Sequence, residues 1–171
     1  MQKQYITRDS NSKMAKKQEK TNVMRILEQK KVEYNAYFYD TEVAVSGTEV
    51  ARKIGKDPSC VYKTLVTVGA SKQNYVFVVP VEMELDLRKA AKAVGEKSIS
   101  MIKSKELLEL TGYVHGGCSP IGMKKFFVTT IDVSAKDVDK IIFSAGKIGY
   151  QVEVSLLELS KVIRFSLQDI V

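Results

Sequence analysis

Two apolar runs joined by a short polar loop constrain the fold of this chain most strongly. The runs YKTLVTV (62–68) and YVFVV (75–79) are rich in β-branched and aromatic residues, which favour strands. The loop between them is too short for a helical crossover, so the runs are predicted to pair as an antiparallel hairpin. Lys63 interrupts the first run, although lysine is depleted in strands and is rarely fully buried without a partner.

Helix and strand signals alternate around this hairpin. Three helices are predicted to begin at the N-cap candidates Thr21, Ser46 and Asp86, and the last two to end at Gly55 and Gly95. Two further helices are predicted at 104–112 and 155–161, and strands at 34–39, 98–101, 126–131, 141–145, 150–154 and 162–166. This mixture of hairpins and helices predicts an α+β fold with a mixed sheet.

Length and charge predict one domain behind a short basic tail. The chain has 171 residues, which suits one core, and we predict a single domain over residues 21–171. Residues 1–20 carry a net charge of +4 and the body +3. The tail lacks apolar periodicity and is predicted to be disordered. A mildly basic body is compatible with a phosphate-bearing partner, and equally with a charge excess that only aids solubility.

Composition also limits the compartment and the kinds of site. The longest apolar run is seven residues, against the roughly 20 that span a bilayer, and no secretory signal is visible, so we expect no membrane partner. The chain has two cysteines, Cys60 and Cys118, and one histidine, His115, whereas a structural zinc site takes four such ligands. We therefore expect a cytoplasmic protein without a metal ion or other cofactor.

Lys63 is the first candidate for chemistry. On a strand it faces the same way as Val61 and Leu65, so its ammonium is either partly desolvated or reaches out of an apolar face. Either state could serve as a base or as an electrostatic clamp on an anion. The alternative is a lysine at the exposed start of a strand whose head group simply reaches water.

A second candidate is the loop Gly116-Gly117-Cys118-Ser119-Pro120. Its glycines allow close backbone approach, and successive N–H groups in such a loop can hold a carbonyl or phosphate oxygen. The alternative is a plain connection between a helix and a strand. Cys118 as a nucleophile would need a base, and the nearby His115 does not by itself make a dyad, which is a spatial arrangement. A small, inert, buried thiol is the commoner case.

A third candidate is the turn FSAGKIG (143–149), which contains Ser144 and Gly146 and which could equally be a simple hairpin turn. Together, VYKTL (61–65), TGYVHGGCSPIG (111–122) and FSAGKIG, with LDLRKAAKAVG (85–95) after the first, closely resemble the signature segments of the YbaK/EbsC family. These are free-standing aminoacyl-tRNA deacylases related to the editing domain of prolyl-tRNA synthetases. The resemblance runs from about Thr21 to Ile170.

The resemblance implies a mixed, mostly antiparallel, barrel-like sheet surrounded by helices. It implies that Lys63 is the essential catalytic lysine and that Tyr39 is a pocket tyrosine. The remaining implied substrate-binding residues are Gly116, Gly117, Cys118, Ser119, Pro120, Ser144 and Gly146. The chain departs from the pattern at Gln151, where close relatives carry aspartate, and at Cys118, where an aliphatic residue is common.

The implied activity is trans-editing hydrolysis of a mischarged aminoacyl-tRNA, typically Cys-tRNA(Pro). The substrate's own thiol can assist the ester cleavage by cyclisation, and an enzyme that works in this way can also be described as a lyase. The alternatives are hydrolysis of Ala-tRNA(Pro) and a non-catalytic module that binds tRNA or a synthetase. The implied partners are aminoacyl-tRNA and, as a candidate, prolyl-tRNA synthetase.

Overall fold

The structure is a computed structural model that describes the backbone of residues 5–6 and the whole of residues 18–171. Its helices are α1 (Asn22–Gln29), α2 (Gly47–Ile54), α3 (Leu87–Val94), α4 (Leu107–Thr111) and α5 (Leu156–Leu159). Its strands are β1 (Tyr5–Ile6), β2 (Asn35–Phe38), β3 (Tyr62–Gly69), β4 (Asn74–Pro80), β5 (Ile99–Met101), β6 (Val128–Asp132), β7 (Ile141–Ser144), β8 (Tyr150–Val154) and β9 (Ser166–Gln168). The predicted disordered tail, residues 1–20, lies mostly outside the described residues.

The predicted helix ends are confirmed by their capping contacts. The side chains of Thr21 and Ser46 each accept a hydrogen bond from a backbone N–H in the first turn of α1 and α2, at 3.3 Å. Asp86 does the same for α3, and Gly55 and Gly95 end α2 and α3 in the left-handed conformation. These local contacts satisfy backbone groups that a helix end leaves unpaired. Within the described residues, no helix has the length and apolar character needed to cross a bilayer.

The strands form two mixed sheets, one in the order β1-β2-β8-β7 and the other in the order β5-β3-β4-β6-β9. The predicted hairpin is confirmed, with Lys63 of β3 opposite Val79 of β4. Antiparallel pairs predominate, and the parallel pairs are β1–β2, β4–β6 and β6–β9. The predicted α+β class is confirmed. Over the part of the chain that the structure describes, the sheets do not close into a barrel, so barrel-like describes them only loosely.

A parallel bridge between Val61, just before β3, and Ile142 on β7 joins the two sheets. We call this junction the seam. Residues on either side of the seam alternate between two buried clusters, because successive strand residues face opposite ways. Tyr62 and Phe143 belong to the main core, which we call the inner face. Val61 and Ile142 belong to a second cluster that α2 covers, which we call the outer face.

One predicted strand, residues 162–166, is largely wrong. The backbone N–H groups of Val162 and Ile163 both donate to the carbonyl of Leu159, at 2.9 and 3.1 Å. These bonds continue the turn that ends α5, so the apolar pair cannot join a sheet ladder. The strand begins only at Ser166. The strand predicted at 126–131 likewise begins later, at Val128, and leaves Phe126 outside the sheet.

Two threonines on β3 provide a matched test of buried hydroxyl groups. The Thr64 hydroxyl is buried and has no hydrogen-bond partner among the described residues, whereas that of Thr67 donates to the Tyr75 carbonyl at 3.0 Å. An unsatisfied buried polar group costs about 1–3 kcal/mol, so Thr64→Val should raise the free energy of unfolding by about 1 kcal/mol. Thr67→Val should lower it by about 1 kcal/mol. Urea denaturation of both variants measures the difference, and equal effects would contradict this assignment.

Candidate active site

Lys63 lies on the second residue of β3, on the outer face beside the seam. Its Nζ is 3.2 Å from Oε1 of Glu84. The Lys63 side chain is 27% exposed, but that of Glu84 is 91% exposed, so the ion pair contributes little to stability. An exposed carboxylate in a weak ion pair is easily displaced by a stronger anion. The ammonium is therefore held in place by its half-buried stem and remains available to a ligand.

A row of polar residues crosses the outer face from Lys63. Lys63 lies two residues after Val61, and Ser144 lies two residues after Ile142. Both therefore lie on the outer face, as the two bridged residues do. Ser144 is paired in register with Gln151 of β8, and Gln151 is paired with Tyr37 of β2. The seam thus joins the strands that carry the predicted lysine and the predicted serine, and both residues lie on the outer face, although about 80 residues separate them in the chain.

Tyr39 joins the same row from the end of β2. Its backbone N–H donates to the carbonyl of Gly149 at 3.0 Å. Burial raises the pKa of the Tyr39 hydroxyl, and hydrogen bonds with the Gly149 backbone and the Gln151 side chain act in the opposite direction. Gln151 is itself buried. The neutral amide of Gln151 stands where the resemblance leads us to expect an aspartate. Its hydrogen bond holds the Tyr39 side chain in the row.

The loop 116–120 is packed against the turn that follows Ser144. A Cβ atom on Gly117 would lie 3.3 Å from the backbone nitrogen of Ile148. Gly116 has a φ of +84°, and a Cβ atom there would lie only 2.6 Å from the Cβ of Ala44. Glycine is therefore required at 116 by both conformation and space. These contacts bring the second and third predicted motifs into one assembly.

Backbone amides of this loop are available to a ligand. The N–H of Gly117 donates to the carbonyl of Val114 at 3.0 Å. The N–H groups of Gly116 and Cys118 have no acceptor within residues 18–171, and both residues are at least partly exposed. The Ser119 hydroxyl is buried and accepts from the Ile121 N–H at 3.3 Å, so this side chain supports the loop. Any contact of the loop with a ligand would thus come from its main chain.

Cys118 lacks the properties of a nucleophile. Its side chain packs against the main core, and burial raises the pKa of the thiol to about 12 despite an opposing hydrogen bond with Thr111. The thiolate is the reactive form of cysteine. His115 is exposed and makes no hydrogen bond to Cys118 in the described part of the chain. The structure therefore gives no support to a Cys–His dyad.

The Cys118→Ala variant should accordingly keep most of the activity of the protein. At pH 8 only about one Cys118 thiol in ten thousand is ionised, so alkylation should be slow and should accelerate as the pH rises toward 12. Cys60, which is also free and partly exposed, is the internal control. Mass spectrometry after iodoacetamide treatment measures both rates. A folded but inactive Cys118→Ala variant would restore the nucleophile hypothesis.

Tyr113 is a structural residue of this region that sequence analysis missed. Its ring lies 2.9 Å from the position of a Cβ on Gly146, and its hydroxyl donates to the carbonyl of Ile121, just after Pro120. Burial raises the pKa of this hydroxyl to about 12. One aromatic side chain thus supports both the Ser144–Gly146 turn and the end of the 116–120 loop. A buried tyrosine needs a partner for its hydroxyl, which was the available signal.

A second missed group lies next to the polar row. Glu153 is buried on β8, and its Oε1 accepts hydrogen bonds from Asn35 at 2.8 Å and from the Tyr37 hydroxyl at 3.0 Å. Lys56 lies 3.7 Å from Oε2 and 5.0 Å from the centre of the Tyr37 ring. This carboxylate is fully used by its neighbours. It fixes the Tyr37 end of the row and is not available as a general base.

The arrangement is suited to binding and polarising an oxygen atom. It combines the Lys63 cation, free amides of the 116–120 loop and the polar row, which are the elements that stabilise developing negative charge on a carbonyl oxygen. Among the described residues, no three or more His, Cys, Asp or Glu side chains are grouped as metal ligands. The site therefore offers electrostatics and positioning from fixed groups.

Comparisons with known proteins identify the family of this chain. The model of the aminoacyl-tRNA editing domain family matches residues 41–162. A protein of Enterococcus faecalis named "Putative Cys-tRNA(Pro)/Cys-tRNA(Cys) deacylase EbsC" is 48% identical over 83% of this chain and 88% of its own length.

Two solved structures share the fold. One is described as "a putative trans-editing enzyme for prolyl tRNA synthetase", with a TM-score of 0.75, 22% identity, and coverage of 88% of this chain and 97% of its own. The other, the hypothetical protein APE2540, has a TM-score of 0.77 and 21% identity over 86% of this chain and 97% of its own. The family match runs from the loop before α2 to beyond the end of α5, so it includes Lys63, the 116–120 loop and Ser144, while Tyr39 lies just before it. This chain belongs to the aminoacyl-tRNA editing domain family.

Proposed function

We propose that this protein is an aminoacyl-tRNA deacylase that removes cysteine from mischarged tRNA(Pro). The proposal rests on the outer face, where Lys63 and Ser144 each follow the seam by two residues and the 116–120 loop packs against the turn after Ser144. The 48% identity to a protein named as a Cys-tRNA deacylase supports the choice of substrate.

Lys63 acts in this proposal as a positioning charge. An aminoacyl ester is already activated, so hydrolysis needs no strong protein nucleophile. The Lys63 ammonium and the free N–H groups of Gly116 and Cys118 would hold the oxygens of the ester and the terminal ribose. Holding reacting groups in a productive geometry can by itself supply effective molarities on the order of 10⁵ M or more. Tyr39 and Ser144 would line the pocket for the aminoacyl group.

For a cysteinyl ester the substrate brings its own nucleophile. The thiol sulfur attacks the ester carbonyl carbon, so a carbon–sulfur bond forms and the bond from that carbon to the ribose oxygen breaks. The thiol proton passes to the ribose oxygen, and the amino acid leaves as a thiolactone that water then opens. The protein contributes orientation and charge stabilisation to this step, and neither Cys118 nor His115 takes part.

A deacylation panel tests both the activity and the substrate. tRNA(Pro) charged with cysteine, alanine, proline or 2-aminobutyrate, and tRNA(Cys) charged with cysteine, should each be incubated with the protein and followed by release of the labelled amino acid. We expect Cys-tRNA(Pro) to be hydrolysed fastest. 2-Aminobutyrate has the size of cysteine with a methyl group in place of the thiol, so it separates chemical assistance from fit.

The outcomes of the panel are distinct. Loss of turnover with the 2-aminobutyryl ester supports attack by the substrate thiol, and equal turnover shows direct attack by water. Cysteine and alanine differ by one small group, which is worth only about 1–3 kcal/mol of discrimination. Preferential hydrolysis of Ala-tRNA(Pro) would therefore show a smaller pocket that is specific for alanine, and would replace the proposed specificity for cysteine. No turnover of any ester would overturn the enzymatic proposal and favour a binding module.

Selection of the tRNA is proposed to involve prolyl-tRNA synthetase as a partner. The body of the chain carries a net charge of only +3, which is modest for a protein that must read a whole tRNA. Adding the synthetase should raise the preference for Cys-tRNA(Pro) over Cys-tRNA(Cys). Strong discrimination by this chain alone would contradict the need for a partner.

A further inference from the structure

A basic cleft lies beside the loop 116–120. It has a volume of about 550 Å³ and is formed by the segment 122–127 on one side and Val162–Arg164 on the other, with Pro120 and Thr129 completing its lining. Every charged residue that lines the cleft is a cation, namely Lys124, Lys125 and Arg164. The cleft therefore presents a concentrated positive potential, which is complementary to a chain of phosphates.

These cations are not occupied by other groups of the protein. All three are exposed, and none is in an ion pair within residues 18–171. The backbone N–H of Lys124 donates to the carbonyl of Thr111 at 3.1 Å, and its stem lies 3.4 Å from the position of a Cβ on Gly112. The segment is thus anchored to the end of α4, so a ligand meets a charge whose backbone is already fixed.

An exposed aromatic ring lies in the same segment. Phe126 is 75% exposed, although it follows two lysines and precedes the half-buried Phe127. A single exposed apolar residue needs no explanation by itself. A ring in a cleft lined by cations is different, because stacking on aromatic rings combined with phosphate contacts is how proteins bind single-stranded nucleic acid.

The position of the cleft next to the 116–120 loop favours one kind of occupant. Pro120 ends the loop proposed to bind the aminoacyl ester, and the same residue lines the cleft. In an aminoacyl-tRNA the ester lies at the 3′ end, and the nucleotides that lead to it are single-stranded. A substrate bound at the 116–120 loop would therefore bring unpaired nucleotides to the neighbourhood of Lys124, Phe126 and Arg164.

We propose that the basic cleft binds the single-stranded 3′ end of the substrate tRNA. Lys124, Lys125 and Arg164 contact its phosphates, and the Phe126 ring stacks on an unpaired base. The choice of tRNA as occupant rests on the proposed function, and the cleft adds to it a surface for the nucleotides that precede the ester. The contacts read no sequence, which agrees with leaving tRNA identity to a partner.

Binding of a labelled RNA tests the proposal without requiring turnover. The probe is a fluorescent acceptor-stem hairpin that ends in four unpaired nucleotides, and fluorescence anisotropy gives its Kd at several salt concentrations. The variant Lys124→Gln/Lys125→Gln/Arg164→Gln should bind more weakly. Its log–log salt slope should fall by about 2, because each contact to single-stranded phosphate contributes about 0.7. Phe126→Ala should weaken binding by about fivefold or more.

The matched control removes three exposed lysines elsewhere, in the variant Lys30→Gln/Lys136→Gln/Lys140→Gln. These side chains are also unpaired within residues 18–171, and none lines the cleft. The control should keep the affinity and the salt slope of the unaltered protein. A second probe, the same hairpin with a blunt end, should bind the unaltered protein more weakly and should lose little further affinity in the cleft variants.

The results separate this proposal from the proposed activity. Equal loss of affinity in the cleft and control variants would overturn it, as would equal loss on the blunt and single-stranded probes. If the cleft variants lose only the single-stranded probe while the protein hydrolyses no ester, the cleft assignment stands and the deacylase proposal fails. If hydrolysis occurs and the cleft variants keep both KM and RNA affinity, the deacylase proposal stands and the cleft assignment fails.

Discussion

Replacing Lys63 with methionine should lower kcat/KM for deacylation by about 10²–10³-fold and leave the fold intact. Methionine keeps the apolar stem that packs on β3 and removes only the charge, because the side chain is 27% exposed and its ion pair with Glu84 adds little stability. Loss of one preorganised group that stabilises developing charge has an effect of this size. Steady-state hydrolysis of the best ester in the panel measures the change, and circular dichroism checks the fold.

Two controls separate this role from a general effect of charge. Lys89→Met on α3 removes a cation that is also paired with an exposed acid, Asp169, at 3.0 Å, and it should keep normal activity. Glu84→Gln removes the partner of Lys63 and should leave kcat/KM within about threefold, since exposed ion pairs are weak. A folded Lys63→Met variant with full activity would remove the lysine from the mechanism.

Replacing Gly116 with alanine should lower kcat/KM by about 10²-fold, because the loop that carries the free amides must move. The new Cβ would lie 2.6 Å from that of Ala44, a separation that two carbon atoms cannot keep. The φ of +84° adds strain on the order of 1–2 kcal/mol for any residue with a side chain. A displacement of about 1 Å in a positioning group can alone cost this much rate.

Steric and conformational effects at Gly116 can be told apart. Gly95 has a φ of +74° but open space around it, so Gly95→Ala reports conformational strain without a clash and should reduce stability but spare kcat. Adding Ala44→Gly to Gly116→Ala removes the atom that clashes and should restore part of the lost activity. If the double variant gained nothing, the collision with Ala44 would not be the cause.

Local patterns in the sequence were sufficient to predict most elements of the fold. The caps at Ser46 and Asp86 are decided by residues within one helical turn, and the β3–β4 hairpin by a short connection. Sequence failed where two local patterns competed for the same residues. Val162 and Ile163 have the composition of a strand, but their backbone groups complete the last turn of α5.

The candidate site was predictable in its parts but not in its assembly. The resemblance identified Lys63, the 116–120 loop and the Ser144–Gly146 turn, each from its own motif. How these parts are assembled depends on the register of β7, β8 and β2 and on the seam, and no local pattern records such long-range pairing. Tyr113 and Glu153 were missed because a supporting residue is recognisable only by what surrounds it in space.

The seam has a consequence for how activity is lost. Lys63 belongs to one sheet and Ser144 to the other, and a bridge between Val61 and Ile142 joins the sheets at this point. Separation there would disassemble the proposed ester pocket while each sheet kept its own ladder, so inactivation by heat or denaturant should precede loss of secondary structure. A substrate that contacts both residues binds only the joined arrangement and thereby fastens the two halves of the protein together.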